Sequence, residues 1–497
     1  MAWYDRYLGR KPNKKKAMPF IRGYNGAGNG RLFADFKSSS TSADSEIYTA
    51  LKSLRNRSRE LARNDGYVAR YLKMLVNNVV GEHGIRISMK ARNDDGSLDV
   101  VANRIIETEF YKWAKVGNCT ADGKLSFLDA QKLFIQNLAR DGEVLIRHIK
   151  DSSNEFGYSM QFLEADHLDE EKNNKTPTGQ IRMGVQINSF GKPIAYHLFK
   201  NHPDANPNQY LSPQQKHIVV QAEEIIHAFM QDRAEQTRGV PFTSSVMTSI
   251  RMLQGYLEAE LVSARVSASK MGFFVGSGDE DYVGEEYENQ YAPIMNAEAG
   301  TFEQLPNGTT LETFDPNHPN SAFSDFQKSV LREIASGLNV SYVELANNLE
   351  GVNYSSIRQG TIADRDNYRI LQKFMIEHFV EPVFRKWLDM AIASGKINLP
   401  ITKFDKFADA VTFIPRSYEW VDPQKEANAN ISLLQNGLVT LQDIQKKYGR
   451  DVEELFEELD RENKLAENYD VEYATQPYGS KQPAEPNING GSIEDEQ

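Results

Sequence analysis

The sequence predicts an α+β fold, on three observations. Helical periodicity runs from about residue 45 to about 140. The apolar period then changes to two up to about 220. Long helical patterns return from about 246 onward. Within the first region, Leu51, Leu54, Leu61, Tyr67, Tyr71, Leu72, Leu75, Val76 and Val79 follow at helical spacing, and Gly81 is the expected stop. A second helix is expected from about 99 to 116 with Ile105, Ile106, Phe110 and Trp113 on one side, and a third from about 127 to 140. Val144, Ile146 and His148 then alternate with Leu145 and Arg147, and Met160, Phe162 and Ala165 continue the sheet pattern. Short strands follow around 185–187, 195–198 and 218–220, separated by turns such as Phe190-Gly191-Lys192-Pro193.

Downstream, Val246, Ile250, Leu253, Leu257, Leu261, Ala264, Ala268 and Met271 step by threes and fours, which predicts a helix of roughly 40 Å. Small residues gather at its far end (Ser263, Ala264, Ser267, Ala268, Ser269). Residues 277–316 differ sharply, with ten Asp or Glu and no Lys or Arg. Another helix is expected from about 322 to 337. A break at 347–354 precedes a third long helical stretch at 355–393, interrupted at Pro382. Residues 422–464 read as shorter helices. The Gly- and Ser-rich first forty-odd residues and the Pro- and acid-rich last thirty bury too little apolar area to be expected to order. No internal repeat of fixed period occurs.

Composition narrows the class. Of 497 residues, 40% are hydrophobic and 25% charged, ordinary values for a soluble globular chain. No apolar run of about 18 residues exists, so no membrane span is expected. The basic start lacks the apolar core of a secretory leader. The lone Cys119 allows neither an intrachain disulfide nor a cysteine-based zinc cluster, and a reducing compartment fits. A formal charge of −12 argues against a protein that grips DNA through many phosphate contacts. The charge is uneven: residues 1–37 hold nine Lys or Arg against two Asp, and residues 465–497 hold seven Asp or Glu against one Lys.

No catalytic or cofactor motif is found. The G-x-x-x-x-G-K-[ST] phosphate loop, H-E-x-x-H and G-x-S-x-G are all absent. The nine histidines are scattered singly; His83, His148, His167 and His227 sit among apolar or strand-like residues and read as satisfied or exposed side chains. Asp279, Glu280, Asp281, Glu285, Glu286 and Glu288 are clustered carboxylates, but their spacing does not match a calcium loop. A solvated acidic face is the simpler reading, with no metal and no cofactor expected.

The residues also resemble a family. Arg57-Ser58-Arg59-Glu60-Leu61-Ala62-Arg63-Asn64-Asp65-Gly66-Tyr67-Val68, then Asn77-Asn78-Val79-Val80-Gly81, is similar to the opening helix of the lambda-like phage portal proteins. Arg140-Asp141-Gly142-Glu143 and Leu163-Glu164-Ala165-Asp166-His167-Leu168 fit the sheet region, and Gln236-Thr237-Arg238-Gly239-Val240-Pro241 fits the lead into the long helix. Gly300 to Gly308, Leu331 to Leu338, Val340 to Leu345 and Asn353 to Arg358 resemble the second stem helix, tunnel loop and tunnel helix. Trp420-Val421-Asp422-Pro423, Asn436-Gly437-Leu438-Val439-Thr440 and Gly449-Arg450-Asp451 match the final helical region. Each motif is weak by itself; their joint order over most of the chain is specific.

The resemblance implies a portal fold: a helix-plus-sheet wing, two stem helices flanking a small clip, a tunnel helix and a C-terminal helical crown. On this sequence the expected divisions are a basic arm at 1–44, wing at 45–242, first stem helix at 243–276, acidic clip at 277–316, second stem helix and connection at 317–345, tunnel loop at 346–356, tunnel helix and wing return at 357–421, crown at 422–464 and acidic tail at 465–497. It further implies a homo-oligomeric ring of about twelve subunits at one capsid vertex of a virion, assembled in the host cytoplasm. The implied partners are the terminase large subunit, the head-tail adaptor, major capsid and scaffold proteins, and double-stranded DNA passing without sequence recognition. The implied sites are a tunnel loop (Asn347, Asn348, Leu349, Glu350, Gly351, Val352, Asn353), docking at the six clip carboxylates named above, and stem packing through Val246, Ile250, Leu253, Leu257 and Leu261. The competing readings are a packaging-associated nuclease or ATPase, which lacks its motifs here, and a DNA-gripping protein using Lys14-Lys15-Lys16, a short basic run of the usual solvated kind.

Overall fold

The computed structural model describes residues 31, 39–150, 154–177, 179–204, 217–268, 272–276, 309–313, 323–351, 354–418, 423–447 and 452–471. Helix α1 (Ala43–Asn64) starts where the Ser42 side chain accepts the Ser45 amide. One aspartate then divides what the apolar pattern presents as a single helix. Asp65 closes α1 in extended backbone, and its carboxylate accepts the Val68 amide at 2.8 Å to open α2 (Gly66–Leu75). A π-helical turn at Val76–Val80 follows and ends at Gly81, whose φ of 70° is the left-handed stop expected of that glycine.

After β1 (Arg86–Met89), α3 (Val100–Trp113) and α4 (Phe127–Asp141) form. Ser126 and Asp129 make a capping box for α4. Ile106, Phe110 and Trp113 are buried as expected, whereas Ile105 is exposed, one step off the inward face. These helices share an aromatic core with the distant segment 376–393. Phe110 lies 5.0 Å from Trp387, Phe134 stacks on Phe379 at 4.8 Å, and the Trp113 indole N–H donates to the Tyr158 carbonyl. Burying each such ring contributes on the order of 3 kcal/mol. Cys119 is buried nearby, and burial pushes its thiol up to about 12, which leaves it unreactive.

The sheet region is larger than its period-two pattern suggests. β2 (Glu143–Lys150) is the centre of an antiparallel three-stranded sheet, between β3 (Tyr158–Leu163) and β9 (Ile225–Phe229). Val144, Leu145 and Ile146 are all buried, because a central strand covered on both faces loses its alternation. Ala165 falls in a 3-10 turn. A second sheet runs in sequence order through β4 (Asn174–Thr176), β5 (Gly179–Arg182), β6 (Val185–Asn188), β7 (Pro193–Phe199) and β8 (His217–Gln221). Val185, Ile187, Tyr196, Leu198 and Val220 line one face and pack on Leu145, Leu168 and Ile225.

Helix α5 (Met247–Ala268) is followed by β10 (Gly272–Gly276), which pairs with β11 (Thr309–Thr313), Phe274 opposite Leu311. The segment expected to stay stem helix to 276 is thus strand in its last five residues. Phe273, Phe274 and Val275 favour a pleated backbone over a helical one. Then come α6 (Phe323–Gly337), α7 (Tyr342–Ala346), α8 (Tyr354–Met375), a π turn at Ile376–Val380 and α9 (Glu381–Ala393). Pro382 lacks an amide and clashes with the preceding turn. The helix therefore widens just before it rather than breaking at it. α10 (Phe404–Asp409) and β12 (Val411–Ile414) return the chain to pair with β1.

Two units emerge, residues 1–416 and 417–497. Among the described residues the second consists of α11 (Pro423–Gln435), α12 (Leu441–Lys447) and α13 (Val452–Asn468). The helix runs to 468, so 465–468 do not belong to a disordered tail. The remainder expected to be disordered, 472–497 and most of 1–38, lies outside the described residues.

A close backbone approach occurs at Gly142, the left-handed cap of α4 at φ 86°: a Cβ there would stand 2.2 Å from the Val240 carbonyl carbon. Gly142→Ala should cost roughly 3 kcal/mol, the upper range of single substitutions. Gly191→Ala, at φ 83° in open space, should cost about 1 kcal/mol from backbone strain alone. Urea midpoints of the two variants check the difference.

Candidate functional site: the stem, its root and the loop beyond it

The link into α5 begins in a buried charge cluster. Glu143, the first residue of β2, is fully enclosed and takes a two-point bond from Arg238, Nε to Oε2 at 2.8 Å and Nη2 to Oε1 at 2.5 Å. The His227 Nε2 is 3.0 Å from the same carboxylate, the Gly239 amide donates to it at 3.3 Å, and the Arg55 guanidinium lies at 3.6 Å. Burial alone would push the Glu143 carboxyl up. Arg238, with His227, outweighs it and holds the carboxyl far below the usual range. Arg238 also donates to the Met183 carbonyl at 2.9 Å. Arg55 bonds Asp166 and Glu170, while Arg59, one turn on, takes Asp141 at 2.8 Å and Asp166 at 2.7 Å.

This cluster anchors the link 236–241 onto α1, β2 and β9. Asp44 accepts both the Thr237 amide and hydroxyl, and Ser58 bonds Thr243 in the 3-10 turn that leads into α5. From there α5 packs against α6. Tyr256 contacts Phe323 and Phe326 at 5.9 and 4.9 Å, Ser249 donates to Glu333, and a Cβ on Gly337 would meet Val246 at 2.3 Å.

The predicted stem residues divide along the helix. Val246, Ile250 and Leu253 are buried within the chain, Leu257 is half-buried and Leu261 is 71% exposed. Met252, Val262 and Phe326 are also largely exposed. The helix pair thus has an internally packed base and exposed apolar side chains on more than one side, Met252 and Leu261 lying half a turn apart round α5.

The loop residues Asn347 to Gly351 are brought together just after α7; Val352 and Asn353 lie outside the described residues. Asn347 ends α7 in the left-handed conformation at φ 51°, which Asn tolerates better than most residues. Arg70 of α2 holds this end, donating to the Glu344 carbonyl at 2.6 Å. The Asn348 side chain accepts the Glu350 amide. Glu350 is not a free carboxylate, since Lys328 of α6 reaches it at 2.9 Å and lowers its pKa. The carboxylates Asp279, Glu280, Asp281, Glu285, Glu286 and Glu288, expected to form a docking surface, lie outside the described residues.

Among the described residues, Glu164, Asp166 and His202 are spaced to hold a metal ion. Both Asp166 oxygens already face guanidinium groups, however, and Arg59 is 3.7 Å from Glu164, so positive charge occupies the position a cation would take. The isolated histidines read from the sequence are satisfied or exposed: His148 bonds Tyr158, His167 bonds the Phe199 carbonyl, His227 bonds Glu143 and His83 is open to solvent.

Sequence reasoning missed the charge cluster. Arg140 to Glu143 and Gln236 to Pro241 stood out as separate motifs, and the structure shows that they meet, Glu143 to Arg238 and Gly142 to Val240. Two charged residues beside two glycines were the available signal, but their pairing across 95 positions is not periodic.

The arrangement offers packing surface and rigid support, the attributes of an assembly subunit. Residues 29–372 match the family model described as "Phage portal protein, lambda family". The chain is 35% identical to the "Probable portal protein" of Halomonas phage phiHAP-1, over 85% of this chain and 82% of that protein. It is 25% identical to "Portal protein B" of Escherichia phage lambda, over 91% of each. A chain in the neck of an empty GTA particle, computed with C6 symmetry, aligns over 85% of this chain and 98% of its own, at 11% identity and a TM-score of 0.44. The chain belongs to the lambda family of phage portal proteins.

Proposed function

We propose that this portal protein closes into a ring of about twelve copies at one capsid vertex of the virion, through which double-stranded DNA enters and leaves without being held. The observation that supports this reading is the α5–α6 pair. In a single copy it leaves Met252, Leu261, Val262 and Phe326 in water, an apolar surface that a repeating head-to-tail contact would cover. On this reading 45–242 is the wing, α5 and α6 the stem, 277–316 the clip, 346–356 the tunnel loop and 422–464 the crown. The ring hydrolyses nothing itself. The ten carboxylates of 277–316, Asp279 to Glu288 foremost, would steer a basic surface of the terminase and later of the adaptor, mainly through the on-rate. The wing would face capsid and scaffold proteins.

Negative-stain images of the purified protein, rotationally averaged, should show rings with a central hole. Replacing Leu257 and Leu261 with Asp should abolish them by placing unpaired charge in the contact. Intact rings of that double variant in native mass spectra would remove α5 from the interface. Lys328 already neutralises Glu350, so the 347–353 loop would meet passing DNA with little charge. Changing Asn347, Asn348 and Asn353 together to Lys adds phosphate contacts and should slow packaging severalfold at low salt, less at high salt. Equal packaging rates across the salt series would place the loop away from DNA.

A further inference from the structure

Short helix α7 carries one acid towards α8. The Glu344 Oε2 accepts the Tyr368 hydroxyl at 3.2 Å. Asp364 stands one turn before Tyr368 on α8, hence on the same face. It is 5% exposed. Its Oδ1 accepts the amide of Ser341, the N-cap of α7, at 3.0 Å. Its Oδ2 is enclosed, with no hydrogen-bond partner among the described residues. A buried carboxylate with an oxygen in that state is costly, whereas a neutral carboxyl costs far less.

The surrounding charges select which acid titrates. Arg70 of α2 and Arg365 of α8 act on Glu344, and Tyr368 donates to it. Arg332 of α6 lies over the Tyr342 ring at 5.4 Å. Among the described residues, the Ser341 bonds favour the charged form of Asp364 and burial opposes it.

We propose that the enclosed Asp364 carboxyl latches α7 and the turn at 347–351 onto α8, and that its ionisation loosens them, a pH-responsive latch at the root of the loop. Burial pushes the Asp364 carboxyl up despite the Ser341 bonds, and Glu344 is raised by burial and then by Asp364. A carboxyl raised on folding binds its proton more tightly closed than open. The latch is therefore firmest below the open-state pKa and weakens as pH rises through the folded one. It does not depend on the channel reading.

The test is hydrogen exchange of 342–351 in the assembled full-length protein, corrected for intrinsic rates, at about pH 4 and about pH 8. Protection in the parent should fall by about threefold or more between them. Asp364→Asn keeps an acceptor for Ser341 and cannot titrate, so its protection should change by less than about 1.5-fold. The same fall in both proteins, or none in the parent, overturns the latch. Should Asp364→Asn fail to fold, Glu344→Gln, which removes the neighbouring charge, must also shrink the fall; an unchanged fall is equally fatal. Recovery of the parent's protection at high pH on adding magnesium or potassium chloride would assign the orphan oxygen to a metal cation and overturn the proton.

Discussion

Glu143 and Arg238 are both fully enclosed, and an ionised pair in that position holds only because each satisfies the other. Around them the carboxylate also takes His227 and the Gly239 amide. Five segments meet there: α1 through Arg55, the start of β2, β9 through His227, the Met183 turn, and the link into α5. Gly142 and Gly239 are both needed, because a Cβ on either would overlap the other's backbone or its neighbour's. Removing one member of the pair would leave the other charge buried and unanswered. The origin of α5 is therefore fixed by electrostatics as much as by apolar packing.

That constraint has consequences along α5. Its base is held by Val246, Ile250 and Leu253, while further along the helix pair Leu261, Val262 and Phe326 are uncovered. These exposed apolar residues are what the proposed contact between copies would cover. The loop after α7 is braced by Arg70 and Lys328 from two other helices, so its position too is set by the body of the fold.

Much of this was legible in the sequence. The helices at 43–80, 127–141, 247–268 and 323–337 follow from apolar spacing, because each lays one stripe against a core. The residues that break the pattern were less visible. Asp65 caps two helices at once, and the π turns at 76–80 and 376–380 leave no trace in periodicity. β1 and β12 are four residues each and pair across most of the chain, so no local signal identifies them. Of the candidate site residues, Val246, Ile250 and Leu253 proved to be internal, while Leu261 is exposed. Helical spacing finds an apolar stripe but cannot say whether its partner is the same chain. The acid pair Glu344 and Asp364 and the Glu143 cluster were hidden for a different reason: charged residues have no period, and only the fold brings them together.

The Glu143–Arg238 pair fixes the start of α5 on the body of the fold, and a double-mutant cycle measures this most directly. Urea midpoints of Glu143→Met, Arg238→Met and the double variant, under conditions where unfolding is reversible, give the coupling energy. Each single change should cost about 3–5 kcal/mol by stranding a buried charge, and the double should cost less than their sum by about 2 kcal/mol or more. Single variants as stable as the parent, or a double variant equal to the sum of the two, would contradict the account.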